Sequence, residues 1–383
     1  MSDFRLVLNR NPGTPGLVIL PEGGYRRARA EISSWPGYAP TPLRPLDFAG
    51  PASVHYKDEG SRFGLGSFKA LGGAYAVLKL ITAELAKRGV ANSATGAELE
   101  AGAHRDAARQ ITVTCATDGN HGRSVAWGAQ RFGARCVIFV HQHVSQGRRD
   151  AIARYGAEIR EVAGNYDDSV RAAQETAQSE GWFVISDTSY PGYTEPPRDV
   201  MQGYRLMAEE AIAALPQAPT HVFVPGGVGG VAAAVAVQLR AMCGPGPKLV
   251  IAEPERAACL TDSLEAGAFT TVGGDLDTLM AGLACGEPSM LAWQELERSA
   301  FASMALPDGA VPGAMQALAA QGVEAGESAV AGYVALQRAW DAPEARAALG
   351  LGADSRVLIF GTEGATDPAL YQQLLQVKSA SRN

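Results

Sequence analysis

Lys69 stands in the run RFGLGSFKALGGAY, Arg62 to Tyr75, among Leu65, Phe68, Leu71 and several glycines. Apolar surroundings disfavour an ammonium and leave a neutral amine that can attack a carbonyl. A surface lysine snorkelling from the start of a helix has the same local sequence. A second run, TDGNHG from Thr117 to Gly122, lies between an apolar strand pattern and a helical one. Amides at a helix start, with the positive end of its dipole, can hold a carboxylate; an Asx-capped helix with His121 merely packed reads the same way. A third run, VPGGVGGV from Val224 to Val231, lets a phosphate approach the backbone at a helix start. Its Gly227-x-Gly229-x-x-Ala232 also fits a dinucleotide fingerprint, with Glu253 placed where a ribose-binding acid is expected. The fourth run, FGTEGATD from Phe360 to Asp367, offers Thr362 as one hydrogen-bond partner for a ring nitrogen, or is only a turn.

The elements that must position these runs alternate. Strands are predicted at 110–115, 136–140, 158–162, 182–186, 221–224, 249–252 and 357–360. Helices are predicted at 123–132, 146–155, 167–180, 199–214 and 228–242. Short buried apolar runs separated by helices imply a doubly wound α/β fold with mostly parallel sheets and helices on both faces. The Pro-rich stretch 187–198 interrupts this alternation and is expected to cross between two lobes. The Pro- and Gly-rich first 50 residues are expected to be extended or wrapping segments.

Composition excludes several functions. Against 33 basic residues stand 40 acidic ones, a net charge of −7, which gives no basic field for nucleic acid. No run approaches the roughly 20 apolar residues of a membrane span. The opening Met1 to Arg5 has no apolar region, so no secretory signal and a cytoplasmic setting are expected. The five cysteines (115, 136, 243, 259 and 285) form no C-x-x-C and no zinc-type spacing with histidine, so no metal is expected. Cys259 and Cys285 flank a Gly-rich stretch and could meet.

In combination and in order, the four runs resemble those of the fold-type II (tryptophan synthase β-like) pyridoxal phosphate enzymes. The matching residues are Ser67-Phe68-Lys69, Asp118 to His121, Gly226 to Gly230, and Thr362. Within that class the chain is most similar to the diaminopropionate ammonia-lyases. That likeness rests on Tyr38 to Leu43, Lys57 to Gly64, Asp187 with Gly192 to Thr194, Met201 to Tyr204, Gly273 to Pro288, Gly326 to Ser328 and Thr362 to Gly364. Ala365 stands where an acid is expected, and Gly361 replaces a small hydroxyl residue.

The resemblance implies pyridoxal 5'-phosphate as cofactor, carried on Lys69 beside Phe68. Gly226, Gly227, Val228, Gly229 and Gly230 would hold the phosphate, Asn120 the ring hydroxyl oxygen and Thr362 the pyridine nitrogen. Thr117, Asp118, Gly119, Asn120 and His121 would form the substrate-carboxylate loop, with Asp118 and Asp187 as alternative bases, one per enantiomer. The implied reaction is α,β-elimination of D- and L-2,3-diaminopropionate to pyruvate and two ammonia via aminoacrylate. A serine or threonine dehydratase of the same fold and a nicotinamide-dependent oxidoreductase are the rival readings. The resemblance further implies a homodimer, a large domain of residues 1–89 and 189–383, a small mobile domain of residues 90–188, and a site between them.

Overall fold

The computed structural model describes residues 3–117 and 119–377, and of Asp167 the backbone alone. The strands are β1 (Arg5–Leu8), β2 (Leu43–Pro45), β3 (Ser53–Asp58), β4 (Thr112–Ala116), β5 (Arg135–His141), β6 (Glu158–Val162), β7 (Phe183–Val184), β8 (His221–Pro225), β9 (Lys248–Pro254), β10 (Ala302–Leu306) and β11 (Arg356–Gly361).

Two sheets result. The larger has the order β1-β10-β9-β8-β11-β3-β2. Its five inner strands run parallel, while β1 and β2 pair antiparallel at the two edges. The smaller, β6-β5-β4-β7, is parallel throughout. Every residue of β8 and all but the first of β9 are buried, which is why HVFVP and KLVIAEP carry apolar side chains on both faces.

The chain groups into two compact units, residues 1–20, 40–67 and 207–383 in one, and 21–39 and 68–206 in the other. The first holds the larger sheet, with a core that includes Tyr56, Phe223, Met304, Leu318 and Ile359. The second holds the smaller sheet, with Val137, Phe139 and Ala173 in its core.

These limits differ from the expected 89/90 and 188/189 boundaries because helix Lys69–Lys87 lies directly against helix Asn120–Phe132. A Cβ on Gly73 would lie 2.4 Å from Ser124 Oγ, and one on Gly128 2.7 Å from Ala74 Cα. Two helices that close group together. The Pro-rich stretch does not act as a linker either. Pro196 and Pro197 sit in the first turn of helix Glu195–Ala214, where a missing N–H costs nothing, and the units divide inside that helix.

The first 50 residues also depart from expectation. They contain β1, β2 and helix Glu22–Ser34, whose buried Tyr25, Ala28 and Ile32 recur at helical spacing. Gly23 and Gly24 obscure that pattern, and Gly24 is needed because a Cβ there would meet Gln202 Nε2 at 2.5 Å. Among the described residues no helix is long and apolar enough to cross a membrane.

Candidate active site

Lys69 opens helix Lys69–Lys87 and follows a segment held by buried charge. Lys57, Glu59, Arg62 and Glu210 are almost wholly inaccessible and sum to zero charge. Arg62 donates from Nε and Nη2 to both oxygens of Glu59, at 2.8 and 2.7 Å, and from Nη1 and Nη2 to both oxygens of Glu210, at 2.9 and 2.6 Å. Lys57 Nζ donates to Glu210 at 2.6 Å and to Thr41 O at 2.8 Å. Just after this knot Phe63 adopts φ of 50°, rare for a bulky residue, and the chain turns toward Ser67. Ser67 is bridged to Glu363, and Gly364 N donates to Gly66 O at 3.0 Å.

In the unit with the smaller sheet, Lys69 and Asp187 form an ion pair, 118 residues apart in sequence. The Lys69 ammonium lies 5.4 Å from the Phe68 ring centroid and 5.8 Å from that of Tyr204. Burial would raise the Asp187 carboxyl, but the Lys69 ammonium holds it far below the ordinary carboxylate range. The backbone before Asp187 is pinned by Tyr193, whose hydroxyl donates to Val184 O at 2.8 Å and accepts from Ser186 N at 3.0 Å.

His121 is buried, and its Nε2 lies 2.8 Å from Ile185 O, which fixes the proton on that nitrogen. Nδ1 then carries the lone pair, without a hydrogen-bond partner and 3.9 Å from Asp187. Burial pushes the imidazole below its usual range, so His121 is neutral there. Thr117 Oγ1 accepts from Gly119 N at 3.0 Å and Gly122 N at 3.1 Å, shaping the turn in front of Asn120. Asn120 is the first residue of helix Asn120–Phe132, three earlier than predicted, and its Oδ1 accepts from Arg123 at 2.5 Å. Ser124, on the next turn, donates to the Lys69 carbonyl at 2.6 Å. Asp118 lies outside the described residues.

The unit with the larger sheet carries the glycine turn and Thr362. Gly226 to Gly229 join β8 to helix Gly230–Cys243. Gly227 and Gly229 have φ of 63° and 94°, conformations that favour glycine. Gly226 is glycine for a different reason, since a Cβ there would lie 2.6 Å from Glu253 Cγ. Val228 O accepts from Ser289 N at 2.8 Å. The first-turn amides of the following helix have no intrahelical acceptor and face the turn, which suits an anion. Thr362 is buried directly after β11. The unexpected Gly361 has a steric cause: a Cβ there would lie 2.0 Å from Tyr56 Oη.

The nicotinamide reading fails at Glu253. Its carboxylate is buried and accepts from Leu260 N at 3.0 Å, Thr261 N at 2.7 Å and Thr261 Oγ1 at 2.7 Å, so it is not available to a ribose. Cys259 and Cys285 both lie beside Gly227, and no disulfide joins the five cysteines.

Sequence reasoning missed the contacts of Ser124 and Tyr193. A small hydroxyl on an otherwise apolar helix face was the available signal for the first, and a tyrosine in a Pro-rich turn for the second.

Residues 34–363 match the model of the pyridoxal-phosphate dependent enzyme family. The chain is 37% identical over 355 residues to the diaminopropionate ammonia-lyase of Escherichia coli strain K12, covering 88% of each. It is similar to the crystal structure of the holo E. coli diaminopropionate ammonia lyase, with a TM-score of 0.90 and 33% identity over 98% of this chain and 97% of that one. The structure of that enzyme in complex with an aminoacrylate-PLP azomethine reaction intermediate has a TM-score of 0.87 at 33% identity, with the same coverage.

Proposed function

The chain belongs to the pyridoxal-phosphate-dependent enzymes and, among them, to the diaminopropionate ammonia-lyases, and from that premise we propose that it removes ammonia from 2,3-diaminopropionate, D and L, to yield pyruvate and two ammonia. It is a carbon–nitrogen lyase that uses pyridoxal 5'-phosphate. The observation that carries the reading is the Lys69–Asp187 pair, an amine and a carboxylate held together beside neutral His121.

The residues present suit the cofactor. A glycine turn with two positive-φ positions, opening onto the free amides of a helix, matches a phosphate dianion. A buried threonine at the end of β11 offers the pyridine nitrogen a neutral partner. When bound, the cofactor supplies an electron sink for the substrate α-carbon.

The protein's own residues do the rest. Lys69 holds the cofactor covalently, Asn120 its ring hydroxyl oxygen, Gly226 to Gly230 its phosphate and Thr362 its ring nitrogen. The loop from Thr117 to His121 receives the substrate carboxylate, and its shape is held by Thr117 Oγ1, which accepts from the Gly119 and Gly122 amides. Asp187, ionised throughout the neutral range, accepts the α-proton of one enantiomer, and Asp118 that of the other. The same Asp118 carboxylate would answer the β-ammonium of the substrate. A carboxylate there favours a diamino acid over serine, whose side chain has no cation to answer it. The working form is a homodimer in the cytoplasm.

The test is pyruvate release from D- and L-diaminopropionate and from serine by the holoprotein, with borohydride reduction to map the labelled lysine. Release from both diaminopropionate isomers, faster than from serine, and label on Lys69 support the proposal. Faster turnover of serine would make the protein a dehydratase, and label elsewhere would end the assignment of Lys69.

A further inference from the structure

Glu253 stands out as a fully buried acid that makes no salt bridge among the described residues and is assigned no role in the reaction. It ends β9, directly under the glycine turn. Its Cγ occupies the space of a side chain at 226, since a Cβ on Gly226 would lie 2.6 Å from that carbon and 3.2 Å from Cδ. Its two oxygens take the amides of Leu260 and Thr261 and the Thr261 hydroxyl, which itself meets Ser303 Oγ at 2.7 Å. These bonds fix the start of helix Cys259–Ala266. The first residue of that helix, Cys259, brings its thiol to 3.6 Å from Gly227 O and 3.8 Å from Glu253 Oε1. One carboxyl therefore touches the turn from below at Gly226 and, through Cys259, from the side at Gly227.

We propose that Glu253 is a positioning residue for the phosphate end of the cofactor, setting the shape of the Gly226–Gly229 turn by its side-chain bulk and its cap on helix Cys259–Ala266. This rests on the reading that the glycine turn holds the cofactor phosphate. Burial pushes the Glu253 carboxyl up to about 7, against the opposing pull of the Thr261 and Leu260 donors. Such a group is costly to keep buried.

The effect is separable from general stability because it acts on one end of the ligand. In Glu253→Gln the shape survives, but the new amide turns a donor toward the Leu260 or Thr261 N–H. The displaced cap shifts the turn, and affinity for pyridoxal phosphate should fall roughly tenfold, the size of one weakened charge-assisted hydrogen bond. Affinity for pyridoxal, which lacks the phosphate, should stay within about twofold, read by equilibrium dialysis.

A cycle with Gly226 tests the steric half, since neighbours in contact do not act additively. Gly226→Ala alone should weaken pyridoxal phosphate binding by more than about tenfold. In a Glu253→Ala background, where the obstructing Cγ is gone, the same change should cost less than about threefold.

Equal losses for pyridoxal and its phosphate, or an equal Gly226→Ala cost in both backgrounds, would overturn the inference. So would variants that bind like the wild type. Failure of the underlying reading looks different: the wild-type protein itself would then bind pyridoxal and pyridoxal phosphate alike.

Discussion

Asp187 is the side chain on which most of the chemistry converges. It accepts from Lys69, faces the bare nitrogen of His121 and sits on a backbone pinned by Tyr193. If Asp187 and Asp118 are the two bases proposed, Asp187→Asn should lower turnover of one diaminopropionate enantiomer by roughly 10²–10⁴-fold. The other enantiomer, served by Asp118, should keep most of its rate, and chiral-substrate kinetics will show the split. The same carboxylate has a signature in the cofactor-free protein. Its folded value lies below the ordinary 3.8, so the folded state binds fewer protons than the unfolded one as pH falls toward that value. The stability it contributes is therefore complete above about pH 4 and is lost as pH falls further. Denaturant midpoints measured from pH 6 to 3 should drop less steeply for Asp187→Asn than for wild type.

Elements decide which residues can meet, and here the knot around Arg62 is the sharpest case. Arg62→Met leaves Glu59 and Glu210 facing one another, buried, with Lys57 alone to answer two charges. The loss should be about 3–5 kcal/mol in equilibrium unfolding, and replacing all four by apolar residues of matching volume should recover most of it. This knot shows what a sequence withholds. Lys57, Glu59 and Arg62 lie in one short run, but Glu210 is 148 residues from Arg62, and no local pattern pairs them. Strands β5, β8, β9 and β11 were legible because they are buried on both faces and rich in branched apolar residues, whereas β10, equally buried, reads ASMAL and was not. Helix Glu22–Ser34 was not, because two glycines at its start imitate a loop. Three of the four chemical runs carry glycines at positive-φ turns, at 64 and 66, at 119, and at 227 and 229, whereas Gly361 of the fourth answers to packing against Tyr56. The contacts among Lys69, Asp187 and His121 were not legible, since they depend on where two helices and the end of β7 meet.

At the scale of the whole molecule, Lys69 and Asn120 belong to one compact unit, and Gly226 to Gly230 and Thr362 to the other. Each unit has its own sheet and its own core, so each could lose structure by itself. A ligand that binds only the native chain adds RT ln(1 + [L]/Kd), about 2.7 kcal/mol at a hundredfold excess over Kd. If groups from both units hold the cofactor, that gain has to be given up whichever unit opens first. Removing the cofactor should therefore lower every calorimetric transition the holoprotein shows, and adding it back should restore them together. On the proposed assignment, pyridoxal without phosphate would engage Lys69 and leave the glycine turn empty, so it should protect the unit of residues 21–39 and 68–206 more than the other. A holoprotein in which only one transition responds to pyridoxal phosphate would mean that the four runs do not serve a single ligand, however well each suits its part of the cofactor.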